Sequence, residues 1–366
     1  MSKHTLFLVH GMGIHKDAAW SDETWKKIVE CSERYPHFKS VKKLEDYAEP
    51  YPVGYDDLMR GTLARWNRQA TEFGDFMRGN ELQAADSLDW LAGFTGTEAG
   101  FLSSHVADVI IYRFFKQASA QIRSQVQLKI FERVKAGKEV DVDASFSLMS
   151  HSLGTSVTHD ALAEMAFAPT IGAHPNTFDV KNFQFKSLHL LANVSRLLQT
   201  TVKAYKSPVR PGSNGSTKRY CDKMYCHRHE LDPIIKPKPF APVAWGANFT
   251  MTNLRHYRAW NVHGWLHYLD HPEVHIPLIR SISKTSAIPP SQVRKAVDEY
   301  SRFGDGLENL AAAKDKLATL HSQIQSIEED SDFGSNIKNL VGTWAGLEQL
   351  RAHAGDTWAK MGGGAV

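Results

Sequence analysis

Several features that would fix the class of this chain at once are missing from it. Only three cysteines occur, Cys31, Cys221 and Cys226. An odd number cannot pair fully within one molecule, which argues against a disulfide framework and for a reducing, cytoplasmic setting. No stretch approaches the ~20 apolar residues that span a bilayer. The run Leu6 to Val9 is too short for a secretory signal core. A soluble protein is expected, with export without a cleaved signal and contact with a membrane surface left open. Neither sign of charge dominates, the formal net charge being +3. Lys26–Lys27 and Lys42–Lys43 are short pairs that suit a solvated face, so nucleic acid is not an expected partner.

Cofactor signatures are scarce as well. The chain carries neither a G-x-G-x-x-G fingerprint nor a P-loop. Cys221, Cys226, His227 and His229 form a compact C-x4-C-H-x-H cluster that lacks the usual zinc spacing. His263, His267, His271 and His275 recur every fourth residue, but Pro272 and Pro277 break any helix that would align all four. Internal repeats and low-complexity tracts are absent.

What is present is an alternation of apolar strands and helices. Thr5 to His10 reads as a strand buried on both faces, and it ends at Gly11-Met12-Gly13. A helix over Ser21 to Arg34 follows. Asp108 to Tyr112 reads as a second strand, Phe115 to Lys135 as a helix, Val140 to Met149 as a third strand and Ser152 to Phe167 as a helix. Further strands are expected at Leu188 to Asn193, Tyr220 to Cys226 and Leu254 to Val262. This order predicts an α/β class with a doubly wound, mostly parallel sheet. Residues 1–285 would form that domain, and residues 286–366 a C-terminal helical extension. Within the first, 58–104 reads as a helical insertion. Its Trp90, Leu91, Phe94, Phe101 and Leu102 alternate with glycines, as suits a lid over an apolar pocket or simple packing on the sheet.

Ser150-His151-Ser152-Leu153-Gly154 lies between the third strand and the helix after it. A serine hydroxyl is a weak nucleophile that needs exposure and a nearby base. A sharp strand-to-helix turn supplies the exposure, and its crowding demands small residues two before and two after the nucleophile. Ser150 and Gly154 meet that demand around Ser152. Around Ser150 the same positions hold Leu148 and Ser152, so Ser152 is the better nucleophile. The helix N-terminus brings free N–H groups to a developing oxyanion, with Leu153 as one donor. The glycine turn after the first strand offers Met12 as the other.

LFLVHGMG followed by LMSHSLGT resembles the lipases and esterases of the α/β-hydrolase superfamily, and the VHGM run resembles bacterial lipases in particular. Ser150 departs from the family's G-x-S-x-G pattern, though serine is also small. The resemblance implies a Ser-Asp-His triad in that chain order, an oxyanion hole from Met12 and Leu153, and neither metal nor organic cofactor. It further implies an ester substrate, lipid-like rather than small and polar. The acid is expected on a turn after a late strand. There, Asp232 before Pro233 resembles the superfamily's acid turn, with Glu230 and Asp222 as rivals. For the base, His263 before Gly264 resembles related hydrolases in which a histidine precedes a tyrosine-bearing helix, here at Tyr268. His267 and His256 compete with it. A second function class stays open: a non-catalytic protein that keeps this fold and binds partners through its C-terminal helices. Oligomeric state has no signature in the sequence.

Overall fold

The computed structural model describes residues 2–11, 19–59, 61–62, 112, 116–167, 183–198, 203–212, 219–230, 232, 235, 239–242, 245–256, 263–283 and 288–304. Among them, six strands form one all-parallel sheet in the order β2-β1-β3-β4-β5-β6. The strands are β1 (His4–Val9), β2 (Ala48–Pro52), β3 (Phe146–His151), β4 (Phe185–Leu191), β5 (Cys221–His229) and β6 (Phe249–Leu254). The helices are α1 (Ala19–Ser32), α2 (Pro36–Ser40), α3 (Lys116–Val140), α4 (Leu153–Phe167), α5 (Ser195–Leu198), α6 (Trp265–Asp270), α7 (Pro272–Ser283) and α8 (Pro290–Gly304). The chain is thus of the α/β class.

Strand order dictates where the helices go. From β1 the chain steps outward to β2, then returns past β1 to β3 and continues towards β6. Parallel crossovers are right-handed, so reversing the direction of travel moves the connecting helix to the other face. The α1 crossover therefore covers one face, while α3 and α4 cover the opposite one. Contacts agree: α3 packs on α4, and α4 on β1 and β3, whereas α1 packs on α6 and α7, and α7 on β1 and β4. The central strands β1 and β3 are buried along their whole length, because helices close both faces. The reversal lies between β1 and β3, and at such a switch point the carboxyl ends of the strands open a crevice.

The second strand differs from the sequence reading. Of the segment expected to form it, 108–111 lie outside the described residues and Tyr112 is helical. Among the described residues the strand that follows β1 is β2, Ala48-Glu-Pro-Tyr-Pro52, which the sequence reading did not expect. Two prolines hide that strand from a propensity argument. They are tolerated because, among the described residues, β2 is an edge strand pairing only with β1. The Val53 N–H donates to Leu8 O at 2.8 Å, so N–H groups of that parity face β1 and the missing donors of Pro50 and Pro52 fall on the outer edge. The third strand also starts later than expected. Val140 ends α3, and Val140 and Val142 are 85% and 81% exposed. Between the two valines, Asp141 accepts hydrogen bonds from the Ser2 and Asp143 N–H groups, making a turn of the alternating Val-Asp segment. The sixth strand lies earlier than expected, at Phe249–Leu254, and 257–262 lie outside the described residues.

Most of the insertion at 58–104, including Trp90 and Phe94, and of the C-terminal extension beyond 304 also lies outside the described residues. Among the described residues no helix is long and apolar enough to cross a membrane.

Candidate functional site

Ser152 follows the carboxyl end of β3 and immediately precedes α4. Its φ is +50°, in the left-handed region that side chains other than glycine seldom occupy. Such strain persists only where the surroundings over-determine it. Here the Ser152 N–H donates to Leu191 O at 3.0 Å, while its carbonyl accepts from the Thr155 N–H at 2.9 Å and the Thr155 hydroxyl at 2.7 Å. Thr155 Oγ1 in turn accepts from the Val194 N–H at 3.0 Å. The turn is therefore bolted to the end of β4.

Close approach of β1 requires Gly154. A methyl group built there would lie 2.1 Å from the His10 carbonyl oxygen. Gly11 is held in the same way, since its methyl would stand 3.0 Å from both Ser152 Cβ and His151 Nδ1. The two glycines bring the segment after β1 against the serine turn. Tyr55 fixes that segment from the other side: its hydroxyl lies 3.0 Å from His10 O and 3.1 Å from Gly11 O. His10 Nε2 also sits 3.0 Å from Asp56 Oδ2. Leu153 is the first residue of α4 and fully buried, with its N–H among those that a helix start leaves without a helical acceptor. Met12 lies outside the described residues.

Ser152, His263 and Asp232 form one hydrogen-bonded chain. His263 Nε2 is 2.9 Å from Ser152 Oγ, and His263 Nδ1 is 2.8 Å from Asp232 Oδ2. A carboxylate can only accept, so Nδ1 carries the proton and Nε2 is left as an acceptor for the serine hydroxyl. All three side chains are buried. A buried carboxylate needs donors to hold its charge. Asp232 Oδ2 has a second one in the Tyr268 hydroxyl at 2.8 Å, whose oxygen accepts from the His229 N–H at 3.0 Å. Burial, then the charge of Asp232, pushes the Tyr268 phenol well above its usual range, so it stays a donor.

The rival residues lie elsewhere. Glu230 pairs with Arg255 at 2.8 Å, and Asp222 with Lys186 at 3.1 Å, both at exposed positions. The His267 ring packs edge-on against His229, 5.4 Å away, and burial lowers its pKa to about 4. His256 contributes its backbone carbonyl, which accepts from His229 and His271. Cys221 and Cys226 are buried free thiols. Among the described residues no group of three or more His, Cys, Asp or Glu side chains could hold a metal ion.

The sequence reading did not assign three contributors: Tyr268 on the carboxylate, Thr155 on the serine turn and Tyr55 on the glycine segment. Tyr268 alone had a sequence signal, its place on the helix after His263-Gly264. No family model, curated protein or solved structure matches the chain.

Proposed function

We propose that this chain is a serine hydrolase of the α/β-hydrolase type that cleaves a carboxylic ester. The observation that carries this reading is the buried Ser152–His263–Asp232 chain, with spacings of 2.9 and 2.8 Å, at the carboxyl ends of parallel strands. A serine at positive φ on a strand-to-helix turn further supports it.

In the proposed mechanism Ser152 Oγ attacks the ester carbonyl carbon as its proton passes to His263 Nε2. Asp232 accepts the Nδ1–H bond, which holds the ring in the required tautomer and stabilises the imidazolium that forms. The tetrahedral oxyanion is held by the Leu153 N–H at the start of α4 and, on the resemblance of the His10-Gly-Met-Gly turn, by the Met12 N–H. Collapse expels the alkoxide, which takes the proton from His263. Water then attacks the acyl-enzyme, giving its proton to His263, and Ser152 leaves with that proton. Lipid-like esters are the proposed substrates, on the motif resemblance.

The test is a fluorophosphonate probe, which phosphonylates an activated serine. One label per chain, mapped to Ser152 and lost in Ser152→Ala along with nitrophenyl-ester turnover, is the expected result. An unlabelled wild-type chain would overturn the proposal in favour of a non-catalytic binding protein. Acyl length is read with nitrophenyl esters, where each buried CH₂ is worth about 0.8 kcal/mol. A flat profile would sink the lipid-like assignment.

A further inference from the structure

His151, the residue between the two serines of the turn, touches several parts of the candidate site. Its Nε2 is 2.6 Å from the backbone carbonyl oxygen of His263. A carbonyl only accepts, so His151 donates and carries its proton on Nε2. The bond is buried, with His151 7% and His263 3% exposed. The His151 ring packs against the rings of His263, Trp265 and Tyr268, with centroids 4.9, 5.5 and 6.0 Å apart. Its Nδ1 edge abuts Gly11. His151 is also joined covalently to Ser152.

We propose that His151 is a positioning residue that sets the distance between Ser152 and His263, by clamping the base's backbone to the serine turn. The argument is one of leverage. Ser152 and His263 are 111 residues apart, and their side-chain bond at 2.9 Å is made between two turns. A strand end and a helix start hold Ser152. His263 instead precedes α6 by two residues, so its backbone needs an anchor to the sheet. The His151 bond is that anchor. It acts beside the reacting atoms without touching them, so its loss should slow the chemical step and leave ester binding little changed.

This inference rests on the hydrolase reading, and the experiment separates the two. His151→Phe keeps an aromatic ring but removes the donor, whereas His151→Gln places an amide N–H near the position of Nε2. In His151→Phe the fluorophosphonate labelling rate and kcat should fall roughly 10²-fold, the scale of a 1 Å misplacement. KM should change by less than about threefold, and His151→Gln should recover most of the rate. Melting curves establish that both variants fold. A second readout does not require activity: the proton NMR signal of His263 Nδ1–H, held by Asp232, and the 15N shift of Nε2. Both should move in His151→Phe and return in His151→Gln. A wild-type labelling rate in His151→Phe, or equal losses in the two variants, would overturn the clamp. If the wild-type chain does not label, the hydrolase reading fails, and the NMR signals decide the clamp: unchanged signals in His151→Phe refute it.

Discussion

Gly154→Ala tests the close approach on which the site depends. The added methyl would lie 2.1 Å from His10 O, 2.9 Å from His10 C and 2.9 Å from Val9 O. An ordinary carbon–oxygen contact is about 3.3 Å or longer, so a gap of about 1.2 Å must open. The atoms met are backbone and cannot rotate away. Nor can the end of β1 retreat easily, because Val9 is in register with Ser150 of β3 and the His10 carbonyl is held by Tyr55. The start of α4 must give instead, carrying Leu153 and Ser152 away from His263 by about 1 Å. Overpacking of this kind costs about 1–3 kcal/mol, or a loss of several degrees in Tm. A displacement of that size costs on the order of 10²-fold in rate. Thermal melts and the fluorophosphonate labelling rate measure the two effects. Gly61→Ala serves as the control, since a methyl there meets no atom within 4 Å. Wild-type melting and labelling in Gly154→Ala would refute the steric argument. A lowered Tm with an unchanged labelling rate would refute the link from packing to chemistry.

Three further outcomes are expected. Ser150→Gly should retain labelling at Ser152, because the Ser150 hydroxyl is buried without a hydrogen-bond partner and glycine fits the turn; a dead variant would mean that the motif is read in the wrong register. Tyr268→Phe removes a donor from Asp232, leaving a less stabilised carboxylate beside an imidazolium that it then favours more. The acid limb of kcat/KM should move to higher pH, and an unmoved limb would argue against the Tyr268 bond. Finally, burial lowers the pKa of His267 to about 4 and of His227, His271 and His275 to about 3, from an ordinary value of 6.5. Below 6.5 the unfolded chain binds protons that the folded chain does not, so stability present at neutral pH is lost as pH falls. Each histidine contributes about 1.4 kcal/mol per pH unit. Together they should make the domain lose stability steadily as pH falls from neutral towards about pH 4, as followed by circular dichroism melts. Stability that is flat from neutral pH down to that point would contradict the buried, neutral state of these rings.

How far these features were legible from residues alone depends on the range of the contact that imposes each one. Ser150 and Gly154 were legible because a strand-to-helix turn demands small residues two before and two after its serine, a local spacing. That Gly154 meets His10 and Gly11 meets Ser152 was not, since those contacts cross from the serine turn after β3 to the segment after β1. The core strands were legible through short apolar runs: burial on both faces leaves Leu6 to Val9 in β1 and Leu148-Met149 in β3. Edge strand β2 has one paired side and two prolines, so neither its composition nor its periodicity announces a strand. The proposed acid and base were narrowed to three candidates each by the chain order that the motif resemblance implies. What separates those candidates is tertiary: Glu230 and Asp222 already have cationic partners in solvent, and His267 faces His229.

The role of His151 had no local signature at all. Its partner is a backbone carbonyl 112 residues away, and every residue type offers the same carbonyl. Nothing in the identity of residue 263 could therefore point back to residue 151. The contact follows from register: β3 ends one residue before Ser152, so His151 is the last strand position and its side chain meets the turn that precedes α6. Shifting β3 by one residue against β1 and β4 would turn His151 to the other face and release His263. Sheet register, set by the apolar pattern of β1, β3 and β4, is thus the means by which a distributed sequence signal reaches the hydrogen-bonded chain from Ser152 to Asp232.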